Sequence, residues 1–448
     1  MYTERGKVLL TGGRAPAALE LARQLAADGW HVAVAESTER HLCRASKAVK
    51  EFFRVPPPVQ GVTAYIEALL QIVQQEKIDW LIPTCEEIFY ISAGLERLSP
   101  YCRVMTVPLG QLGRLHSKWA FIRRVEEMGL AVPATVRLVP GDEASYAACL
   151  EALEQDDYAD GVVLKPEFSR FAAKVRRFER LAEARRFIRK LHDQAVAESK
   201  RSLRHTSFST EHRETDDKAG SDSNIPGDGS RDGAMESHPP VWVVQRLIRG
   251  RALCTYGVAH DGQLRAHGAY ESSYTAGQGA TIYFESIAHT ALLEWVKRFV
   301  SEEGFSGQIA FDFIEDGQGV LYPLECNPRA TSGVHLFRPG DGLAQALLPD
   351  SRSTSYVSLI QPRPMARAML ALPMLAYGLR ADLSWTGLSM WLRRFRQAGD
   401  VVYRRSDPAP FFEQARMLWG MGRAACAQGL TLMEVSTADI EWNGGPMR

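Results

Sequence analysis

The 448-residue chain has no surplus of charge of either sign: 53 lysines and arginines stand against 53 aspartates and glutamates. That balance leaves no electrostatic footprint for nucleic acid or for an acidic membrane. Basic runs such as Lys174-Val-Arg-Arg-Phe-Glu-Arg180 are interleaved with apolar residues and read as solvated helix faces. Cysteine is sparse. Seven are scattered at positions 43, 85, 102, 149, 254, 326 and 426, with no CxxC pair. This indicates neither a disulfide framework nor a zinc site and fits reduced thiols in the cytoplasm. The first residues, Met1 to Lys7, lead straight into a strand pattern, so no secretory signal is expected and a cytoplasmic location is. Long apolar runs are missing too. The most apolar late stretch, Ala368-Met-Leu-Ala-Leu-Pro-Met-Leu-Ala-Tyr-Gly-Leu379, is too short to span a bilayer and reads as a buried helix or a partner-facing surface.

A complete dinucleotide fingerprint is also lacking. Lys7-Val-Leu-Leu-Thr is a buried strand, a helical pattern covers 15–27, and Trp30-His-Val-Ala-Val-Ala-Glu36 is a second strand. This βαβ opening predicts a doubly wound parallel sheet. Glu36 stands where an acidic ribose ligand would, but Gly12-Gly-Arg-Ala-Pro-Ala17 is not GxGxxG. A Rossmann-like scaffold without a cofactor is therefore preferred over a nicotinamide oxidoreductase. Asp79-Trp-Leu-Ile-Pro-Thr84 forms another strand, and Thr84, Glu86 and Glu87 follow its carboxyl end. They belong either to an acceptor pocket or to a helix N-terminus favoured by the dipole.

What is present concentrates in two strands. Gly307-Gln-Ile-Ala-Phe-Asp312-Phe-Ile and Leu324-Glu325-Cys-Asn327-Pro-Arg329 are joined by the turn Asp316-Gly-Gln-Gly319. Glu325 and Asn327 are two apart and share a strand face. Pro328 keeps Asn327 extended, and Asp312 joins that face only if the turn sets the register. Two carboxylates and a carboxamide suit Mg²⁺, a hard cation that takes its remaining ligands from phosphates. Arg329 is permanently charged and could grip a carboxylate or phosphoryl oxygen. Upstream, Gly161-Val-Val-Leu-Lys165-Pro places a lysine among β-formers, where a buried ammonium needs an anionic partner. Val241-Trp-Val-Val-Gln245-Arg-Leu-Ile-Arg-Gly250 is a second apolar strand ending in a turn.

Strand–lysine, strand–hinge and acidic hairpin, in that order, resemble the ATP-grasp superfamily, closest to the branch of the carbamoyl-phosphate synthetase large chain. The resemblance implies a Rossmann-like domain over 1–110, an ATP-grasp fold of two α+β lobes over 111–345, and a mixed, largely helical C-terminal extension over 346–448. It implies that ATP binds between the lobes, with Lys118 (in Ser117-Lys-Trp-Ala-Phe) and Lys165 on its phosphates. The hinge Gln245, Arg246, Leu247 and Ile248 would meet adenine through backbone groups. Asp312, Glu325 and Asn327 would hold Mg²⁺, as two ions, with Mn²⁺ as the alternative metal. Arg329 and Lys165 would act on the transferring phosphoryl group.

The implied reaction is ligation through an acyl phosphate, joining a small acceptor with a carboxylate or enolate to an amine donor such as an amino acid. The length and tail also resemble the mycosporine-glycine synthase type. Two departures favour instead a nucleotide-binding regulator with degenerate catalysis. After Lys165 the chain reads Pro166-Glu-Phe-Ser-Arg-Phe-Ala-Ala, with no glycine for a flap, although Ser169 and Arg170 could substitute. Gly250 is followed by Arg251-Ala252-Leu253, with no glutamate.

The polar stretch 198–240 is expected to be a disordered insertion. The Gly-rich loop in 265–284 is either an acceptor-facing loop or a plain hairpin turn. His335 is read as structural before catalytic. A helix is expected over Pro410–Gln428. For 346–448, a regulatory, dimerising or acceptor-covering role is equally compatible.

Overall fold

The computed structural model describes residues 5–169, 174–211, 239–276, 280–349, 358–380 and 382–447. The chain forms two compact units. The larger takes the chain through Val132, a short segment beginning at Phe168, and everything from Ile248; the smaller takes Pro133–Glu167 and the chain from Lys174 to Leu247.

In the larger unit, five parallel strands lie in the order Glu51–Arg54, His31–Glu36, Lys7–Thr11, Trp80–Ile82, Arg103–Val104. Val8, Leu9, Leu10, Val32, Ala33 and Val34 are fully buried, because helices cover both faces of such a sheet. The first helix, Pro16–Ala27, starts on a proline whose missing N–H costs nothing at that position. This is the Rossmann-like domain expected from the βαβ opening.

A four-stranded antiparallel sheet follows in the same unit, in the order Gln263–Glu271, Arg251–His260, Gly307–Glu315, Leu321–Asn327. One face carries Leu253, Phe311 and Phe313, packed with Phe121, Trp295 and Phe299 in an aromatic core. The other face is mixed: Tyr256, Val258 and Ala266 join a second apolar core with Val334, Phe337 and Leu343, and its polar groups gather on the last two strands. A further small sheet joins Tyr283–Glu285, Arg367–Met369 and Gly399–Asp400, so the last hundred residues are woven into the larger unit by a strand as well as by helices.

Buried ion pairs fix this C-terminal part. Arg23 meets Asp407 at 3.0 Å, and Arg14 donates to Asp439 at 2.6 Å. The apolar run 368–379 becomes strand, short helix Ala371–Ala376 and turn: Met374 is buried, while Leu375, Tyr377 and Leu379 are exposed. The expected helix near the end runs over Ala409–Gln428.

The smaller unit is a four-stranded antiparallel sheet, in the order Thr135–Leu138, Trp242–Arg246, Val162–Pro166, Arg176–Phe178. Helices Glu143–Ala152 and Leu181–Glu211 supply its core partners. The second helix corrects the expected onset of disorder at 198. From Glu198 to Glu211 the sequence is polar but contains neither glycine nor proline, so nothing in the backbone chemistry stops the helix. The rest of the expected insertion, 212–238, lies outside the described residues, as do Arg170 and the loop tip 277–279.

Candidate functional site

Register decides the site. Asp312 pairs directly with Glu325, and Ala310 with Asn327, so Asp312, Glu325 and Asn327 lie on the polar face of the hairpin. A bulge makes this so. Phe313 pairs with Pro323 and Asp312 with Glu325, leaving Leu324 as the extra residue. Before the bulge, Leu321 and Pro323 are buried; after it, Cys326 is. Without that phase change, Glu325 would share a face with Pro323 and enter the aromatic core.

The polar row extends across the whole sheet: Tyr270 pairs with Cys254, Cys254 with Asp312, and Asp312 with Glu325. Removal of water, and then the Glu325 charge, push the Asp312 carboxyl well above its ordinary range. Burial first, with Asp312 adding to it, also raises the Cys254 thiol and the Tyr270 phenol. Both therefore remain protonated, and the thiol is hydrogen-bonded to Asp312. Sequence reasoning gave Cys254 and Tyr270 no role, since nothing local marks a residue that meets a carboxylate some forty to sixty positions downstream.

Lys118 arrives from a helix start. The Ser117 hydroxyl accepts from the Ala120 amide at 3.1 Å and caps the helix Lys118–Glu127. The buried Lys118 ammonium lies 3.4 Å from Glu325 and donates to the Ser169 carbonyl at 2.9 Å. Arg329 donates to Asn327 Oδ1 at 3.0 Å and faces the buried Glu86 at 3.5 Å. Its Nε is buried and has no hydrogen-bond partner among the described residues. Lys118 with Glu325, and Arg329 with Asn327, are thus two contacting pairs at one hairpin face, and Asp312 is hydrogen-bonded to Glu325. Glu86 belongs to this group as well, with His116 at 4.0 Å, so its place after a strand end is more than a helix start.

The segment after Lys165 is held by aromatic rings. Phe168 packs on His116 and on Trp442, and Trp442 also meets Phe89. Ser169 serves through its carbonyl.

In the smaller unit Lys165 is buried on its strand, opposite Val243. The Gln245 side chain turns inward to Thr135 at 3.1 Å. The Arg246 amide donates to Ala134 at 2.8 Å and the Leu247 amide to Gly161 at 3.0 Å. With both amides engaged, the backbone of those two hinge residues offers a ligand carbonyls alone. Ile248 is the first residue of the larger unit.

Two other expectations resolve. Glu36 is buried and bound by the Arg14 guanidinium and the Ser37 and Thr38 amides, so it has no free oxygen for a nicotinamide ribose. His335 lies 3.8 Å from Glu20, which also pairs with Arg404, a structural setting away from the hairpin.

The donor set fits a divalent cation. Asp312 and Glu325 are opposed like charges, and a cation between them would restore Asp312 to its ionised form. Among the described residues no group of three or more His, Cys, Asp or Glu gathers as a closed metal cage. An open site of two carboxylates and Asn327 suits Mg²⁺ completed by phosphate oxygens.

The sheet orders and the hairpin define the ATP-grasp fold, and solved structures of that fold match the chain. A biotin carboxylase–β,γ-ATP complex from Campylobacter jejuni superposes with a TM-score of 0.53 at 14% identity, over 77% of this chain and 70% of its own. N5-carboxyaminoimidazole synthase from Aspergillus clavatus, in complex with ADP and 5-aminoimidazole ribonucleotide, gives 0.52 at 11% identity over 81% of each chain. An L-amino acid ligase from Bacillus licheniformis gives 0.50 at 13% identity, over 77% of this chain and 70% of its own. By sequence, the chain matches no protein-family model and no curated protein.

Proposed function

We propose that this chain is an ATP-dependent ligase that activates a small acceptor as its phosphate and joins it to an amine. The observation that supports this reading is the Arg329 Nε–H, a buried charged donor with no hydrogen-bond partner among the described residues, on the same hairpin as the opposed carboxylates Asp312 and Glu325. It deepens the likeness to the structures above, whose names include ADP, ATP and amino acids as ligands or substrates.

Lys118 and Lys165 would neutralise phosphate oxygens, and the hinge carbonyls of Arg246 and Leu247 would accept from the adenine amino group. Mg²⁺ held by Asp312, Glu325 and Asn327, as one ion or two, would supply charge neutralisation at the β- and γ-phosphates. Mn²⁺ fits the same oxygen ligands.

An acceptor carboxylate oxygen attacks the γ-phosphorus, the bond to the bridging oxygen of ADP breaks, and an acyl phosphate forms. The Arg329 guanidinium holds that intermediate. The amine nitrogen then attacks the acyl carbon, phosphate leaves, and the amine gives up a proton. Two easier steps replace one difficult one. An enolate oxygen could take the same first step. Assembly as a homodimer, and a cytoplasmic location, are part of this reading.

The test is incubation with MgATP and pools of amino acids and small carboxylates, with release of ADP and phosphate and masses of new products as readout. A product lighter by water than the sum of two pool members supports the reading. A second reading, a nucleotide-binding regulator, is favoured by the glycine-free segment after Lys165. Tight MgATP binding without ADP release from any pool would select it.

A further inference from the structure

The even charge of the whole chain conceals a segregated region. Residues 363–428 contain ten arginines and no lysine against four carboxylates, a net of +6. Three of the arginines, Arg363, Arg367 and Arg404, pair with Asp341, Glu285 and Glu20 outside the segment, and counting those three acids leaves a surplus of +3. Two of the helices in this region turn aromatic side chains and arginines outward together. On Ala409–Gln428, Phe412, Arg416, Trp419 and Arg423 follow the i, i+4, i+7, i+11 spacing of one helix face, and all four are exposed, Phe412 by 64% and Trp419 by 74%. On Trp385–Gln397, Trp385 is 89% exposed, and Leu392, Arg393 and Arg396 lie on the same outward side. The inward sides of the two helices hold Glu413 and Gln414 in one case and Gly387 in the other.

We propose that these two ridges dock on the surface of an anionic lipid membrane. A tryptophan standing on a ridge, with no socket around it, has a body suited to the acyl boundary and an N–H suited to the headgroup layer. The arginine stems lie along apolar surface while the guanidinium groups reach lipid phosphates. A second copy of the chain is a poorer occupant, because neither ridge offers a carboxylate to spare: Glu413 is buried and already paired with Arg416 at 3.3 Å, and the sole acid of 376–397, Asp382, precedes its helix. A symmetric pairing would set arginines against arginines. The docking is superficial, since no helix among the described residues is long and apolar enough to cross a membrane.

The test uses the full chain in co-sedimentation with two kinds of vesicle, phosphatidylcholine alone and phosphatidylcholine with about 30 mol% phosphatidylserine, at low and high salt. Binding to the anionic vesicles about tenfold tighter than to the neutral ones, and weakened by salt, is expected. Trp385→Ser combined with Trp419→Ser should lower that binding about tenfold, and Arg416→Gln combined with Arg423→Gln should erase the difference between vesicles. All four side chains are exposed, so the melting temperature should not move, and it is measured alongside. Equal binding to both vesicles, binding to neither, or binding unchanged in the tryptophan variant overturns the proposal. So does concentration-dependent dimerisation abolished by the same substitutions, which would assign the ridges to a second copy.

Discussion

The ammonium of Lys118 lies 3.4 Å from the carboxylate of Glu325, so a lysine stands beside the very residue expected to hold a cation. In the proposed ligase the lysine would meet a phosphate and the glutamate a metal. Glu325→Gln keeps the shape and removes one negative charge. It should raise the Mg²⁺ concentration needed for half-maximal ATP turnover by at least about tenfold, with the melting temperature nearly unchanged. Unaltered turnover at limiting Mg²⁺ would make the hairpin structural.

Arg329 presents a planar fork to Asn327 and leaves Nε for a ligand. Arg329→Lys keeps the charge and loses the fork. Product formation should fall by about 10²-fold or more while MgATP affinity measured by calorimetry stays within a factor of about two. A parallel loss of both would place Arg329 on the nucleotide instead.

Lys165 is buried on its strand, away from solvent. Lys165→Met preserves the length of the side chain and should weaken MgATP binding about tenfold, or roughly 1.4 kcal/mol. Calorimetry with unchanged affinity would remove this lysine from the phosphates.

His267 supplies a prediction independent of the chemistry. It is buried on the strand Gln263–Glu271, and neither ring nitrogen has a hydrogen-bond partner among the described residues. Burial, with Lys297 adding to it, lowers its pKa to about 4. Between about 4 and the ordinary 6.5 the unfolded chain binds the extra proton, so stability rises with pH through that window and is lost as pH falls. Urea unfolding should show this residue removing about 2 kcal/mol between pH 7 and pH 5, and His267→Leu should abolish that component. Glu20 and Asp407 are depressed carboxylates, for which His335 and Ser46, respectively, are the first groups to offset burial; they lose their contribution only at lower pH. An identical pH slope in the His267 variant would refute the assignment.

The parts of this molecule that depend on neighbours in sequence were legible. Glu325 and Asn327 share a face because they are two apart, and Pro328 marks the end of their strand. The βαβ opening followed from runs such as Val8 to Leu10 that are buried on both sides. What crosses the sheet was not legible: Cys254 and Tyr270 meet Asp312 only through pairing, and Leu324 carries no mark of being the residue at the bulge. Glu86 reads from the sequence first as part of a helix N-terminus, and only the Arg329 contact adds it to the site. The helix beyond Glu198 was missed because polarity was weighed above the absence of glycine and proline. The basic C-terminal region was missed because charge was summed over the whole chain.

The bulge at Leu324 has a consequence for how this protein could change over time. Because one supernumerary residue separates two ladder pairs, the loss of the Leu324 codon would only straighten the strand and leave Glu325 opposite Asp312. The loss of Cys326 would instead make Glu325 and Asn327 adjacent and send them to opposite faces. Every side chain of the candidate site would still be encoded. The site is therefore written in a count as much as in an alphabet, and an alignment that preserves its letters while miscounting by one would describe a protein with no cation site at all.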